Sequence, residues 1–307
     1  MERRVPKIVN LGSLCFDRVY HVPAMVRTGE TLRATAVDLF PGGKGLNQSL
    51  AARRAGAAVQ HVGCVGADGE PLRALLQEAG VDVTHLRLQE DIPTAHAVIQ
   101  LTANGDNAIV IVGGSNLAIR PADIDVALAS LGEGDWLLLQ NEINDLETVL
   151  QRAHAQGAQV CMNLAPYSTA ADAYPLGYVA LLIVNENEAH GLTGEADPER
   201  ALAALRRRCP TTTVVVTLGD AGLIHDAGEG IVRVPPFVVH TVDGTGAGDA
   251  FIGYLLASLQ LGASLPRALV LGSAAGALAA SRAGAATSIP TRTEVETLVA
   301  RAGAAAP

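Results

Sequence analysis

The sequence predicts an α/β fold: a doubly wound, mostly parallel sheet flanked by helices, with a small β-sheet lid. Three observations carry this. Short apolar runs alternate with longer stretches of helical periodicity, glycines stand where those helices should stop, and two segments keep strand alternation with no helix after them. The runs are Ile8 to Leu11, Gln60 to Cys64, Trp136 to Gln140, Val160 to Asn163, Leu181 to Val184 and Thr213 to Leu218. Continuous apolar runs of this length suit strands covered on both faces.

Helices are expected over Leu46 to Arg54, ending at Gly56, and over Pro71 to Glu78, ending at Gly80. Glycine accepts the left-handed conformation that closes a helix. The exceptions are Arg18 to Leu39 and Thr94 to Val112. Within the second, His96 to Leu101, then Asn104-Gly105-Asp106, then Ala108 to Val112 read as a hairpin. Both exceptions are expected to build the lid, inserted from roughly residues 14–40 and 94–112 into a single domain spanning residues 1–307. Such a lid covers a site or forms an interface. There is no fixed-period repeat and no Pro-, Gly- or Ser-rich linker to divide the chain.

A chain of 307 residues buries roughly three quarters of its unfolded surface, so a large core is available. The net charge of −9 argues against a nucleic-acid partner, since phosphate backbones are bound by clustered Lys and Arg. Arg206, Arg207 and Arg208 form the one basic run and read as the solvated end of a helix beginning near Pro198. Cys15, Cys64, Cys161 and Cys209 lie far apart with no C-x-x-C pair, which fits a reduced cytoplasm. The stretch from Met1 to Lys7 leads into an apolar run too brief for a signal peptide or a membrane span. A cytoplasmic protein is expected.

The strongest local signal is Thr241-Val242-Asp243-Gly244-Thr245-Gly246-Ala247-Gly248-Asp249-Ala250-Phe251, followed by an apolar helix from Ile252 to Leu259. Small residues let backbone N–H groups approach a ligand, and a helix start aims a positive dipole end at anions. Asp249 in the first turn stands beside such an anion site, where it can take a proton from a hydroxyl. A lone Gly pair would mark no more than a tight turn; three alternating glycines before an Asp favour the anion site. The dinucleotide fingerprint G-x-G-x-x-G is not matched, here or at Gly63 to Gly69.

A second cluster, Pro41-Gly42-Gly43-Lys44-Gly45-Leu46-Asn47-Gln48, precedes a helix but lacks the spacing and the Ser or Thr of a P-loop. Lys44 and Asn47 suit hydroxyl recognition, or else simply ornament a helix start. A third, Val184-Asn185-Glu186-Asn187-Glu188, follows a strand at the edge where open α/β sheets bind ligands. Asn185 and Glu188 could serve a Mg²⁺ shell through water, or form a capping box.

In this order and at these separations, the three clusters resemble the ribokinase family of sugar kinases, which is phosphofructokinase-B-like. The resemblance covers nearly the whole chain, adding Asn10-Leu11-Gly12-Ser13 with Asp17, Gln140-Asn141-Glu142 and Thr217-Leu218-Gly219. It implies an ATP-dependent kinase acting on a primary hydroxyl of a small sugar, with ribose to ribose 5-phosphate the nearest match. Another sugar or a nucleoside as acceptor, or a non-catalytic sugar or nucleotide sensor, are the alternatives. It implies Mg²⁺, a monovalent cation such as K⁺, and a homodimer joined through the lid. By the same resemblance Asp17, Gly43, Lys44, Asn47 and Glu142 contact the sugar. Asp249 is the base, and Gly246, Ala247 and Gly248 form the anion hole. Asn185 and Glu188 serve phosphate and magnesium, and Thr217 and Gly219 the nucleotide. Asp243, Thr245, Ala279, Arg282, Gly284 and Ser288 form the monovalent-cation loop, mostly through backbone carbonyls. One departure is Cys15, where ribokinases usually carry Asn two residues before the first sugar-binding Asp. A thiol is a weak hydrogen-bonding group, so a sugar hydroxyl loses a partner there. Phe16 is expected to point away from that face. Gly244 stands where Thr is common, and the cation loop tolerates it.

Overall fold

A computed structural model describes residues 6–305. Residues 1–5, which belong to the stretch read above as too short for a signal peptide, lie outside the described residues. In chain order the strands are β1 (Lys7–Leu11), β2 (Cys15–His21), β3 (Ala36–Gly42), β4 (Ala58–Gly66), β5 (Leu86–Gln89), β6 (Ala95–Leu101), β7 (Asn107–Val112), β8 (Trp136–Gln140), β9 (Gln159–Asn163), β10 (Leu181–Asn185), β11 (Thr213–Thr217), β12 (Leu223–Asp226) and β13 (Val232–Val234). The helices are α1 (Lys44–Arg54), α2 (Glu70–Glu78), α3 (Pro121–Ala129), α4 (Leu146–Ala155), α5 (Glu186–Thr193), α6 (Pro198–Arg208), α7 (Ala247–Gln260), α8 (Leu265–Ala280) and α9 (Arg292–Ala305).

Nine strands form one sheet in the order β13-β12-β11-β10-β9-β8-β1-β4-β5. All neighbours are parallel except β11–β12 and β12–β13. Alternate residues of the inner strands enter opposite cores. Ile8, Leu138, Ile183 and Val215 pack with α1, α2, α7, α8 and α9, while Val9, Leu139, Leu182 and Val216 pack with α3, α4, α5 and α6. This is the doubly wound arrangement, and it explains why these strands are apolar throughout. Strand order reverses between β1 and β8, the topological switch point where such sheets bind ligands.

The other four strands make a separate sheet, ordered β3-β2-β6-β7. β2 pairs parallel with β6 and antiparallel with β3, and β6 pairs antiparallel with β7 across the turn at Gly105. The strand segments are narrower than the two stretches read from sequence, because residues 22–35 carry no strand. Register puts Cys15, Asp17, Phe40, Ala97 and Ile111 on one face. Phe16 leaves that face and is buried in the main core. The basic run ends α6, where Arg206 faces Asp226 and Arg208 donates to the Asp172 carbonyl. Among the described residues no helix is long and apolar enough to cross a membrane.

Candidate active site

The carboxyl ends of β1, β8, β9 and β10 and the amino ends of α1 and α7 converge at the switch point. Gly246 caps α7 with φ +76°, and a Cβ there would lie 2.9 Å from Cα of Ala285. Only glycine allows both the left-handed backbone and that approach. The loop before it is tied down by Asp243, whose carboxylate accepts from the Thr245 and Gly284 amides, each at 2.9 Å. These two bonds hold the carboxylate of Asp243 below the usual range, overcoming the opposing effect of burial. In the first turn of α7 the Ala247 amide donates to the Gly244 carbonyl at 3.2 Å and the Ala250 amide to the Gly246 carbonyl at 2.9 Å, while the Gly248 and Asp249 amides have no intrahelical acceptor and are available to an anion. Beside Gly248 there is open space.

Asp249 is buried in that turn. Its Oδ2 accepts from Asn47 Nδ2 at 2.9 Å and its Oδ1 from Gln48 Nε2 at 2.8 Å, both from α1. Burial raises its pKa, against the opposing pull of the Lys44 ammonium and of these two donors. A raised pKa makes the carboxylate a stronger base. Burial likewise disfavours the Lys44 charge, but Asp249, Glu142, Glu188 and Asp17 together hold its pKa above the ordinary lysine value. One cation thus sits among four carboxylates. Lys44 Nζ is 3.9 Å from Glu142 Oε1, and Glu142 Oε2 accepts from the Lys44 amide at 3.1 Å and from the Ser13 hydroxyl.

Asp17 reaches the same region from the small sheet, with Cys15 Sγ 3.8 Å from its Oδ1. Burial raises the Asp17 pKa and pushes the Cys15 thiol well above its usual range, so the thiol stays neutral. Gly43, at φ +93°, caps α1 beside this group.

Asn185 and Glu188 form a complete capping box on α5. Asn185 Oδ1 accepts from the Glu188 amide at 2.9 Å, and Glu188 Oε2 accepts from the Asn185 amide at 2.8 Å. Burial raises the Glu188 pKa, opposed by its bonds from Asn185 and by Lys44. Among the described residues no three His, Cys, Asp or Glu side chains cluster as a metal site. Glu188 with Asn185 nonetheless suits Mg²⁺, which keeps several waters and leans on substrate phosphates.

Two connected clefts lie here. One of about 450 Å³ runs along Thr217, Gly219, Phe237, Val238, Gly248 and Ala277. A smaller one of about 160 Å³ holds Lys44, Asn163, Asn185, Glu188 and Asp249, and shares Thr217, Gly248 and Phe251 with the first. The larger volume suits a small-molecule cofactor.

Asp243, Thr245, Gly284 and Ser288 lie in two loops joined by the Asp243–Gly284 bond. Ala279 lies in the last turn of α8, and its carbonyl already accepts from the Arg282 amide at 3.0 Å. The Arg282 side chain turns to Glu294 at 2.6 Å, and Ser288 Oγ donates to the Ala285 carbonyl. Any cation here would therefore meet backbone carbonyls, with the Arg282 side chain engaged elsewhere.

Sequence reasoning assigned no role to Ser13, Gln48, Gln140 or Asn163, yet these hold Glu142 and Asp249 in place. The available signal was a polar residue closing an apolar strand run, as Gln140 and Asn163 do.

Residues 5–292 match the pfkB family carbohydrate kinase description. The chain is 33% identical over 292 residues to the ribokinase of Haemophilus influenzae, covering 92% of this chain and 95% of that protein. It is 32% identical over 276 residues to the deoxyribokinase of Salmonella typhi, covering 86% and 90%. The Arabidopsis thaliana ribokinase solved with ribose and ATP superposes with a TM-score of 0.86 at 28% identity, covering 96% of this chain and 99% of that one. With the fold, the glycine-rich α7 start and these likenesses together, the chain belongs to the pfkB family of carbohydrate kinases.

Proposed function

We propose that this protein phosphorylates the primary hydroxyl of ribose at the expense of ATP, giving ribose 5-phosphate and ADP. The observation that carries the reading is the buried Asp249 carboxylate at the start of α7, held by two side-chain donors and opening onto the connected clefts. The sugar lies among Asp17, Gly43, Lys44, Asn47 and Glu142, with its primary hydroxyl against Asp249. The hydroxyl proton passes to Asp249 as the oxygen attacks the γ-phosphorus, and the bond to the β,γ-bridging oxygen breaks to release ADP. Amides of Gly246, Ala247 and Gly248 meet the charge on the migrating phosphoryl group. Asn185 and Glu188 hold hydrated Mg²⁺, which when bound neutralises phosphate charge. Thr217 and Gly219 line the nucleotide cleft. Carbonyls of the loops around Asp243, Thr245, Ala279, Arg282, Gly284 and Ser288 take K⁺.

The small sheet acts as the lid of a single domain. Its exposed Ile109 and Ile111, on the face that carries Asp17, support a homodimer formed lid to lid. Four unpaired buried thiols and the need for ATP support a cytoplasmic location.

Cys15 supports a second reading. Its neutral thiol offers a sugar hydroxyl little, so another sugar, including 2-deoxyribose, or a nucleoside could be the better acceptor. A non-catalytic sensor would have no use for Asp249. ADP release from the purified protein with ribose, 2-deoxyribose, other sugars and nucleosides separates these readings. Ribose turnover that Asp249→Asn lowers by about 10²–10⁴ in kcat supports the first; no ADP release with any acceptor would sink it.

A further inference from the structure

Gln48 is one link of a buried chain of side-chain amides whose direction is set from outside the site. Asn10 Nδ2 lies 2.8 Å from the Gly45 carbonyl oxygen and 2.8 Å from Ser49 Oγ. A backbone carbonyl only accepts, so Asn10 must present Oδ1 on its other side. That oxygen accepts from Gln140 Nε2 at 3.0 Å, and the same nitrogen donates to Gln48 Oε1 at 2.8 Å. Gln48 is then left with its Nε2 toward Asn163 Oδ1 at 3.1 Å and Asp249 Oδ1 at 2.8 Å. Asn163 is oriented the same way from its far end, where Nδ2 faces the Ile183 carbonyl at 3.5 Å.

All four amides are buried. Gln140 spends both N–H groups as a donor while its own Oε1 has no partner. A buried acceptor left unpaired is unusual and calls for a reason. Asn47, the other donor to Asp249, is not anchored in this way, because its Oδ1 is also without a partner. One oxygen of Asp249 thus meets an N–H of fixed orientation, and the other an amide free to answer a ligand.

We infer that Gln140 is a positioning residue for Asp249: the chain from Gly45 through Asn10, Gln140 and Gln48 forces an N–H, never a carbonyl, against Oδ1 of the carboxylate. The inference rests on Asp249 acting as the base. The charged groups facing Asp249 are Lys44 of α1 and Glu142 beyond β8, with Glu188 of α5 and Asp17 of β2 acting on Lys44. None of them touches Gln140 through a hydrogen bond, so a change at Gln140 reports on the amide chain.

The test is steady-state kinetics of Gln140→Met and Gln140→Glu from pH 5 to 9, beside Asp249→Asn, with folding checked by thermal unfolding. Gln140→Met removes both donors, and Gln140→Glu keeps the shape but, even as the neutral acid, donates to only one oxygen. Both are expected to lose about tenfold to a hundredfold in kcat. KM for sugar and ATP should stay within about twofold, as befits an interaction realised in the transition state. The acidic limb of kcat should move to higher pH, because the ionised carboxylate loses a donor. A folded Gln140 variant of either kind with native kcat and an unmoved limb overturns the inference. If Asp249→Asn is then inactive, the base reading survives alone. If Asp249→Asn turns over normally, the base reading falls and this inference with it.

Discussion

Replacing Gly253 with Ala tests whether the packing of α1 on α7 sets the geometry around Asp249. Gly253 stands one turn beyond Asp249 and faces α1. A Cβ there would lie 2.4 Å from Ala51 Cβ, 2.7 Å from the Ala52 amide nitrogen and 2.8 Å from the Gln48 carbonyl oxygen. Two of these atoms are backbone and cannot turn aside. Ordinary contact needs about 3.5 Å, so the helices must part by roughly 1 Å. The bonds from Asn47 and Gln48 to Asp249, at 2.9 and 2.8 Å, span the same gap and would stretch beyond hydrogen-bonding range. Overpacking costs about 1–3 kcal/mol and each of the two bonds to the charged group contributes about 1.5–3 kcal/mol, against a helix-propensity gain of about 1 kcal/mol. Net destabilisation of about 3–8 kcal/mol is expected, a fall in Tm of roughly 5–12 °C for a chain of this length. Misplacing the carboxylate by this much should lower kcat about tenfold to a hundredfold. Calorimetry and an ADP-release assay measure both. A Gly253→Ala protein with native Tm and native kcat would show that the close approach of the two helices does not position Asp249.

Other outcomes follow from the same geometry. Asp249 must be ionised to accept a proton and burial raises its pKa, so kcat should fall on acidification at a pH above the ordinary carboxylate range; a limb at or below the Asp reference value would contradict this. Asp243→Ala removes the tie between the α7 loop and Gly284 and should cost about 1–3 kcal/mol with a parallel loss of kcat. Because the folded pKa of Asp243 is lowered, its contribution is present above the unfolded value and disappears as pH falls through the folded one. The Tm gap between variant and parent should therefore close in acid. Lys44→Met leaves Asp17, Glu142, Glu188 and Asp249 without their shared cation, and should raise KM for the sugar and move the acidic limb upward; unchanged values would deny Lys44 its place. Ile109→Lys with Ile111→Lys should convert a dimer to a monomer in analytical ultracentrifugation, and a dimer that persists would place the interface elsewhere.

What local pattern decides is considerable here. Six apolar runs were enough to foresee six of the seven parallel strands because both faces of each are buried, and burial leaves a mark on composition. Gly56 and Gly80 marked helix ends because only a residue without Cβ enters the left-handed region cheaply, and both have positive φ. The run from Asp243 to Asp249 announced its loop and helix for the same reason. β5, β12 and β13 escaped notice: β5 and β13 are short strands at the two sheet edges, where the apolar signal is weak, and β12 is only four residues long and ends in His225 and Asp226. Register alone brought Cys15 onto the face of Asp17 and sent Phe16 into the core, a consequence of the two-residue period of a strand.

The amino-acid order by itself determined which segments are strand or helix and which short stretches can approach an anion, since these depend on neighbours within a few residues. Tertiary structure alone decided that Asn47 and Gln48 grip Asp249 across about two hundred residues of chain, that one lysine faces four carboxylates, and that Gln140 governs an amide it does not touch in sequence. Hydrogen bonds and charges act through space over a few ångströms, and only the winding of the sheet about its switch point brings those atoms within that reach.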